Sequence, residues 1–458
     1  MVYPNVLMSL SVFSSVASLI GAMAMTTMTT STVTTTTLPN GLPMHSGKLP
    51  NGLQIYIVEN HNAPVFTFQT WFRVGSKDEK TDPKLNATGL AHFFEHMMFR
   101  GTKNTPDGEF DRILTRNGVS NENATTWLDR TNYFESMPSK HLELVMQLES
   151  DRMANIVIDQ KLLDTERGAV LGEYAMGKDD PGNVASELLF ETAYTLHPYR
   201  YSVIGTEQEI KRFSKEEAEY FYRTYYAPNN ATILIVGDVD PVHAMSLITK
   251  YYGTCRPQPL GHQRPPVEPA QTAMRSVSFE HAQLEQPKIL IAYHVPEATH
   301  QDMPTLMILQ SMLTSGEGSI LSSKWVNAGL SVNVSGELVM LKDPGLFTIS
   351  AEVRKGHAPD ELLTAMDSEL LRIADAANDI SGEVMRARNQ FLLSVYKSWD
   401  GNESLAGFMG EYIITAGTPL YAFYFVSTAE KITPDAVKAA AAKYLVQSNR
   451  TVVIGKSK

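Results

Sequence analysis

Two stretches near the start of the chain alternate apolar and polar residues over the length of a strand. LQIYIVEN at 53–60 and VFTFQTWFRVGS at 65–76 both show this period of two. Asn60, Asn62 and Pro64 supply turn-forming residues between them. The pattern predicts a β-hairpin, and therefore a sheet, at the beginning of the folded part.

A second pattern occurs twice along the chain. The sequence reads YYAPNNATILIVGDVD from Tyr225 and YLVQSNRTVVIGKSK from Tyr444. In each case a polar turn with asparagine leads into β-branched residues, which is typical of a buried strand. The proline-rich segment 255–271 between them predicts an extended linker. We therefore predict an internal duplication, with halves at 45–254 and 272–458.

The amino-terminal region has the composition of a targeting segment. No Lys, Arg, Asp or Glu occurs before Lys48, and residues 1–25 are largely apolar, with small residues at Ala22 and Ala24. This pattern predicts a signal peptide or an uncleaved anchor, and hence a periplasmic or secreted protein. The threonine-rich residues that follow predict a flexible tether over 26–44, so the folded part is expected to begin near Lys48.

Length and composition limit the possible classes of protein. At 458 residues the chain exceeds the roughly 250–300 residues of a single core, so more than one domain is expected. The formal net charge of −11 argues against a nucleic-acid partner, which requires basic patches. The single Cys255 excludes a disulfide framework and a zinc site built on thiolates. Any metal must therefore bind His, Asp or Glu.

The sequence HFFEH at 92–96 carries the chemistry of a metal site. On a helix His92 and His96 share a face, with Glu95 beside them, in the H-x-x-E-H order of the inverzincins. A catalytic zinc needs a third protein ligand. The helical pattern at 159–177 offers Glu166 and Glu173 on one face, and spacing alone does not choose between them.

These motifs together resemble one known family. The resemblance rests on GLAHFFEHMMFRGT at 89–102, on KLPNGLQIYIVEN and FRVGSKDE before it, and on NENATTWLDRTNYF and HPYRYSVIG after it. The chain is similar from about Lys48 onward to the pitrilysin and insulin-degrading metallopeptidases. The resemblance implies an α+β fold of two similar halves, each a sheet covered by helices, that form one half of a clamshell over a peptide.

The family resemblance also implies a zinc endopeptidase and assigns roles to individual residues. It implies one Zn²⁺ per chain on His92, His96 and Glu173. Glu95 is the implied general base that activates the attacking water, and Glu166 is an outer carboxylate that supports the ligands.

The same resemblance implies where a peptide substrate docks. In the family, the strand that matches NENATT offers its edge to the substrate as an added strand. Asn123, Ala124 and Thr125 are therefore expected to contact the peptide backbone.

One departure from the family pattern bears on the partner. The positions of the family's oxyanion-stabilising arginine and tyrosine fall on Trp325 and Val332, so we expect a heterodimer with a homologous chain that carries the Arg/Tyr pair. In another alignment register Arg388 and Tyr396 are the candidates. The alternatives are a self-sufficient homodimeric processing peptidase and a non-catalytic structural subunit of a larger complex.

Overall fold

The computed structural model describes residues 33–85 and 87–458. Residues 1–25, for which a signal peptide or anchor is predicted, lie outside the described residues. The strands are β1 Thr34–Thr37, β2 Pro43–Lys48, β3 Gln54–Glu59, β4 Val65–Phe72, β5 Asn121–Thr126, β6 Thr131–Pro138, β7 Ala231–Gly237, β8 Arg275–His281, β9 Lys288–His294, β10 Ser331–Val339, β11 Leu346–Val353 and β12 Arg450–Ser457. The helices are α1 Asp78–Thr81, α2 Leu90–Met97, α3 Glu109–Arg116, α4 Leu142–Asn155, α5 Gln160–Asp179, α6 Pro181–Ala193, α7 Glu207–Arg212, α8 Lys215–Tyr225, α9 Pro241–Tyr252, α10 Met303–Thr314, α11 Pro359–Ala374, α12 Ser381–Lys397, α13 Asn402–Thr415, α14 Tyr421–Ala429 and α15 Pro434–Tyr444.

The strands form two sheets that share one topology. The first sheet has the order β1-β2-β3-β7-β4-β6-β5 and the second the order β10-β11-β9-β12-β8. In the first sheet β7 runs parallel to β3 and antiparallel to β4. In the second sheet β12 likewise runs parallel to β8 and antiparallel to β9. The predicted α+β fold of two similar halves is confirmed by this repeated arrangement.

The two similar half endings occupy equivalent places. Asn230 donates from Nδ2 to the Tyr225 carbonyl at 2.9 Å, and Asn449 donates from Nδ2 to the Tyr444 carbonyl at 2.8 Å. Each asparagine thus closes the turn between a helix and the strand that enters the middle of its sheet. The repeated sequence pattern therefore marks a repeated structure.

The predicted hairpin between the first two alternating stretches is wrong. β7 lies between β3 and β4, parallel to the first and antiparallel to the second. Every residue of β7 is buried, because Ile233 and Ile235 face the core of the first half while Leu234 and Val236 face the other core. A strand covered on both faces belongs in the middle of a sheet, and local alternation does not show which distant strand pairs with it.

Each half lends a helix to the other. α6, from the first half, packs on β8, β9 and β12 of the second sheet, and Leu189 lies in a cluster with Leu290 and Val453. Reciprocally, α13 from the second half packs on β4 and β7 of the first sheet, where Gly410 lies directly against Trp71. The interface between the halves is therefore made of helices from each half packed on the sheet of the other.

The predicted boundaries of the tether need correction. β1 lies within the range assigned to the tether and pairs antiparallel with β2, which begins there at Pro43, and Leu38 and Met44 are buried. These apolar side chains anchor the segment, so the folded part begins before Lys48. The linker, residues 255–271, lies along the surface. It is held there because the Glu268 carboxylate accepts hydrogen bonds from the backbone N–H groups of residues 195–197 at 2.8–2.9 Å.

Candidate metal centre

One face of helix α2 is buried in the core, and another carries the side chains of the metal motif. Leu90, Phe93 and Met97 are completely buried in the core of the first half. His92, Glu95 and His96 occupy the other side, since residues three and four apart share a helix face. The motif therefore lies on a helix, as its spacing predicts, and the His92 and His96 ring centroids are 4.8 Å apart.

The long helix α5 brings a carboxylate to the two imidazoles. The Glu173 carboxylate lies 3.5 Å from His92 Nε2 and 3.3 Å from His96 Nε2. The two contacts are made by different oxygens, Oε1 to His92 and Oε2 to His96, so both imidazoles direct Nε2 at one carboxylate, and His and Glu side chains are ligands that zinc uses in proteins. The three ligand atoms lie within 4.8 Å of one another, and they form the only such group among residues 33–85 and 87–458. The donor set fits Zn²⁺.

The second carboxylate on α5 has a different role. Glu166 is 2% exposed, accepts from His96 Nδ1 at 2.8 Å and forms a close ion pair with Arg100. It therefore contacts the far side of the His96 ring and leaves Nε2 free to face Glu173. A carboxylate in this position fixes the tautomer and orientation of a metal-binding histidine.

The electrostatics of the cluster favour ionised carboxylates. Hydrogen bonds from His92 and His96 hold the pKa of Glu173 well below its usual range. Burial opposes protonation of His96, but its contacts with Glu166 and Glu173 outweigh that effect and raise its pKa to about 9. Positive charge is therefore stabilised at this point, as a cation site requires.

An open groove begins at the candidate metal centre. The cavity has a volume of about 530 Å³, and its lining residues include His92, Thr126, Trp127, Glu173 and Phe190. β5 is the edge strand of the first sheet and packs beside α2. An extended chain lying along β5 would therefore pass the candidate metal ligands.

The three predicted substrate contacts on β5 differ in what they offer. Trp127 N–H donates to the Arg130 carbonyl at 2.9 Å, so Trp127 and Arg130 are a hydrogen-bonded pair of the β5–β6 ladder. Such pairs recur at every second residue, so the backbone N–H and C=O groups of Asn123 and Thr125 also point toward β6. Ala124 faces the open edge. Its N–H donates to Asn123 Oδ1 at 2.8 Å, so an incoming strand would displace this side chain.

The two positions that the family resemblance gives to oxyanion donors hold neither arginine nor tyrosine. Trp325 is completely buried in the core of the second half, whereas Val332 lies on β10 with 47% of its surface exposed. The alternative pair lies on α12. There Arg388 donates to the Glu430 carbonyl at 3.1 Å, and Tyr396 packs edge-on against Trp399.

One functional contact was missed from the sequence. Arg100 lies just past the carboxyl end of α2 and forms an ion pair with Glu166, the carboxylate that orients His96. The signal was the position of Arg100 four residues after His96. Its partner Glu166 is distant in sequence, so the role becomes visible only in the fold.

The chain is an α+β protein of two sheet-plus-helix halves, and the first half carries a donor set that fits a zinc ion. Residues 54–207 match the family model described as insulinase, peptidase family M16, and residues 212–390 match the model of the M16 inactive domain. The chain therefore belongs to peptidase family M16, which confirms the family resemblance seen in the sequence. Its metal motif lies in the half that matches the insulinase model.

Named relatives and solved structures agree with this assignment. The chain is 28% identical to the zinc protease PqqE of Helicobacter pylori, over 81% of this chain and 84% of PqqE. It is 25% identical to the probable mitochondrial-processing peptidase subunit beta of Arabidopsis thaliana, over 87% of this chain and 75% of the relative. The crystal structure of a protease from Helicobacter pylori superposes with a TM-score of 0.83 at 24% identity, covering 90% of this chain and 99% of that protein.

The described part of the chain has no helix long and apolar enough to span a bilayer.

Proposed function

We propose that this chain is the zinc-bearing subunit of an endopeptidase that cleaves peptides bound along β5. The observation that carries the proposal is the convergence of His92, His96 and Glu173, whose ligand atoms lie within 4.8 Å of one another. The names of the relatives, which are zinc proteases, support it.

The chemistry divides between the metal and this chain's side chains. When bound, Zn²⁺ supplies a Lewis acid that polarises the scissile carbonyl and acidifies water. His92, His96 and Glu173 would hold it. Glu95 shares a face of α2 with the two histidines, so it is placed to take a proton from the attacking water and later to deliver that proton to the leaving amine. The open edge of β5 would align the peptide by backbone hydrogen bonds, with Ala124 as the outward-facing member of the predicted trio.

Zinc analysis of the purified chain tests the metal site of this proposal. The purified chain should bind one zinc per polypeptide, and His96→Ala should lose it. Stoichiometric zinc in the His96→Ala variant would show that the metal binds elsewhere.

A homologous partner would complete the active site. Trp325 is enclosed in a core and Val332 has an aliphatic side chain, so neither position offers this site a donor for a developing oxyanion. A partner carrying an Arg/Tyr pair would supply those donors and would close the chamber. The mitochondrial-processing relative is itself named as a subunit, which supports an assembly of more than one chain.

Reconstitution distinguishes the heterodimer from a self-sufficient enzyme. Losing one oxyanion donor typically costs about 10²–10³-fold in turnover, so the metallated chain alone should be at least that far below the assembled enzyme. Titrating a homologous Arg/Tyr-bearing chain should restore hydrolysis with saturation near equimolar amounts. Full activity in a preparation shown by mass to contain this chain alone would refute the partner model and direct attention to Arg388 and Tyr396.

We further propose that the protein acts in the periplasm or is secreted. The apolar, uncharged residues 1–25 support this location. Cell fractionation and the mass of the mature amino terminus test it, and a cytoplasmic protein that retains Met1 would contradict it.

A further inference from the structure

The helix that carries both imidazoles starts without a cap of its own. α2 spans eight residues, and Gly89 at its N-cap has a φ of 92° and no side chain to accept a hydrogen bond. The first N–H groups of any helix lack partners within the helix. A helix this short also depends on contacts with the rest of the fold. The first turn of α2 must therefore be held from outside.

Glu79 supplies that contact. Its Oε2 accepts from Gly89 N–H at 2.7 Å and its Oε1 accepts from Ala91 N–H at 2.6 Å. The side chain is completely buried, and burial raises its pKa while the two N–H groups oppose that shift. Burying a carboxyl group costs free energy unless its oxygens are satisfied, and here both are satisfied by the same helix terminus.

A second contact also confines this backbone turn. A Cβ atom on Gly89 would lie only 2.3 Å from the Ile204 carbonyl oxygen, so this turn packs directly against the segment that forms one wall of the groove. The first turn of α2 is thus set between the Glu79 carboxylate and the backbone at Ile204. Movement of that carboxylate would move the turn.

The two candidate histidine ligands are supported in different ways. His96 has its Nδ1 hydrogen-bonded to Glu166. His92 Nδ1 is buried and has no hydrogen-bond partner in the part of the chain that the structure describes. No side chain described there orients the His92 ring as Glu166 orients His96. Its placement therefore depends on the backbone of the first helical turn, in which it is the third residue.

We propose that Glu79 is a positioning residue for the metal centre, which holds the first turn of α2 so that His92 meets His96 and Glu173. In this arrangement two carboxylates orient the two imidazoles, Glu166 through a ring nitrogen and Glu79 through the backbone. The inference rests on the proposed zinc site and adds a residue whose side chain does not reach the metal.

The test compares two matched variants. Glu79→Gln keeps the size of the side chain, but its amide has one acceptor oxygen for two N–H donors. Glu209→Gln is the control, because Glu209 lies next to this region and binds Lys80 Nζ at 2.9 Å and the Thr88 hydroxyl without contacting a backbone N–H of α2. Zinc affinity is measured by chelator competition, and ligand geometry by the visible spectrum of the Co²⁺-loaded protein.

Glu79→Gln should weaken zinc binding by about 10-fold or more, in the range seen for residues that orient ligands, and should alter the Co²⁺ spectrum. Glu209→Gln should stay within about twofold of the wild type. If Glu79→Gln does not fold, Glu79→Asp replaces it. The aspartate side chain is one methylene shorter, so the first turn of α2 must shift toward it to keep both hydrogen bonds. Wild-type affinity together with an unchanged Co²⁺ spectrum in either folded variant overturns the role of Glu79. A wild-type chain that binds no zinc would instead refute the proposed function.

Discussion

Replacing Glu166 and Glu173 separately by glutamine should separate a supporting carboxylate from a ligand. Glu173 lies within 3.5 Å of both imidazole Nε2 atoms, whereas Glu166 contacts His96 only through Nδ1. Glu173→Gln removes an anionic ligand, so zinc should no longer be retained through gel filtration. Glu166→Gln should retain zinc with reduced affinity.

The size of the Glu166 effect follows from its contacts. Its carboxylate is 2% exposed and accepts from both His96 and Arg100. A glutamine can accept from one of these donors, but its amide N–H₂ group then faces the other. Loss of such a supporting partner typically costs about 10–100-fold in metal affinity, which corresponds to about 1.4–2.7 kcal/mol.

Chelator competition at fixed pH measures both variants on one scale, with bound zinc counted by elemental analysis. Circular dichroism of each metal-free variant checks that the fold is intact. An empty site in Glu166→Gln beside a stoichiometric site in Glu173→Gln would reverse the assignment of the ligand. Wild-type affinity in Glu166→Gln would show that Glu166 does not orient His96.

Three further perturbations probe catalysis and stability. Glu95→Gln should keep stoichiometric zinc but lose about 10²-fold or more in kcat for peptide hydrolysis, and substantial residual activity would point to another base. Gly410→Ala would place a Cβ 2.1 Å from the Trp71 ring, so urea unfolding should show a loss of about 1–3 kcal/mol, and an unchanged midpoint would contradict this packing. Burial, and after it the neighbouring Glu149 carboxylate, raises the pKa of Glu135 well above the ordinary 4.5 of a glutamate, and the Arg152 guanidinium, which opposes that shift, is 4.0 Å away. The folded state therefore retains a proton that the unfolded chain releases, so stability falls as pH rises above about 4.5. Glu135→Gln should remove part of that decline between pH 5 and 8 in urea unfolding, and a steeper decline would refute the assignment.

The metal helix was predictable because its information is local. His92, Glu95 and His96 lie within a few residues, and helical spacing alone places them on one face. The third ligand required more, since Glu166 and Glu173 share the same face of α5 and differ only in which face of His96 each one meets. The family resemblance favoured Glu173, and the distances to Nε2 agree with that choice.

Long-range contacts explain what the sequence did not reveal. The pairing of β3 with β7 joins residues far apart along the chain, so an alternating pattern could show the strands but not their neighbours. The threonine-rich residues of β1 have no large apolar side chains, yet they pair with β2 because Leu38 and Met44 are buried beside them. The role of Glu79 likewise depends on a contact that only the folded chain creates.

The exchange of α6 and α13 between the halves limits how a substrate could enter the active site. Each helix packs against the sheet of the other half, and Lys77 of the first half pairs with Asp343 of the second at 2.9 Å. Separating the halves would expose apolar surface on both sheets at once and break this ion pair, which makes a hinge within this chain costly. The two halves of this chain would therefore move as one rigid body. In the proposed heterodimer, admission of a peptide would then depend on movement of the second chain, so the rate of opening would be a property of the assembly and sensitive to changes at the contacts between the two chains.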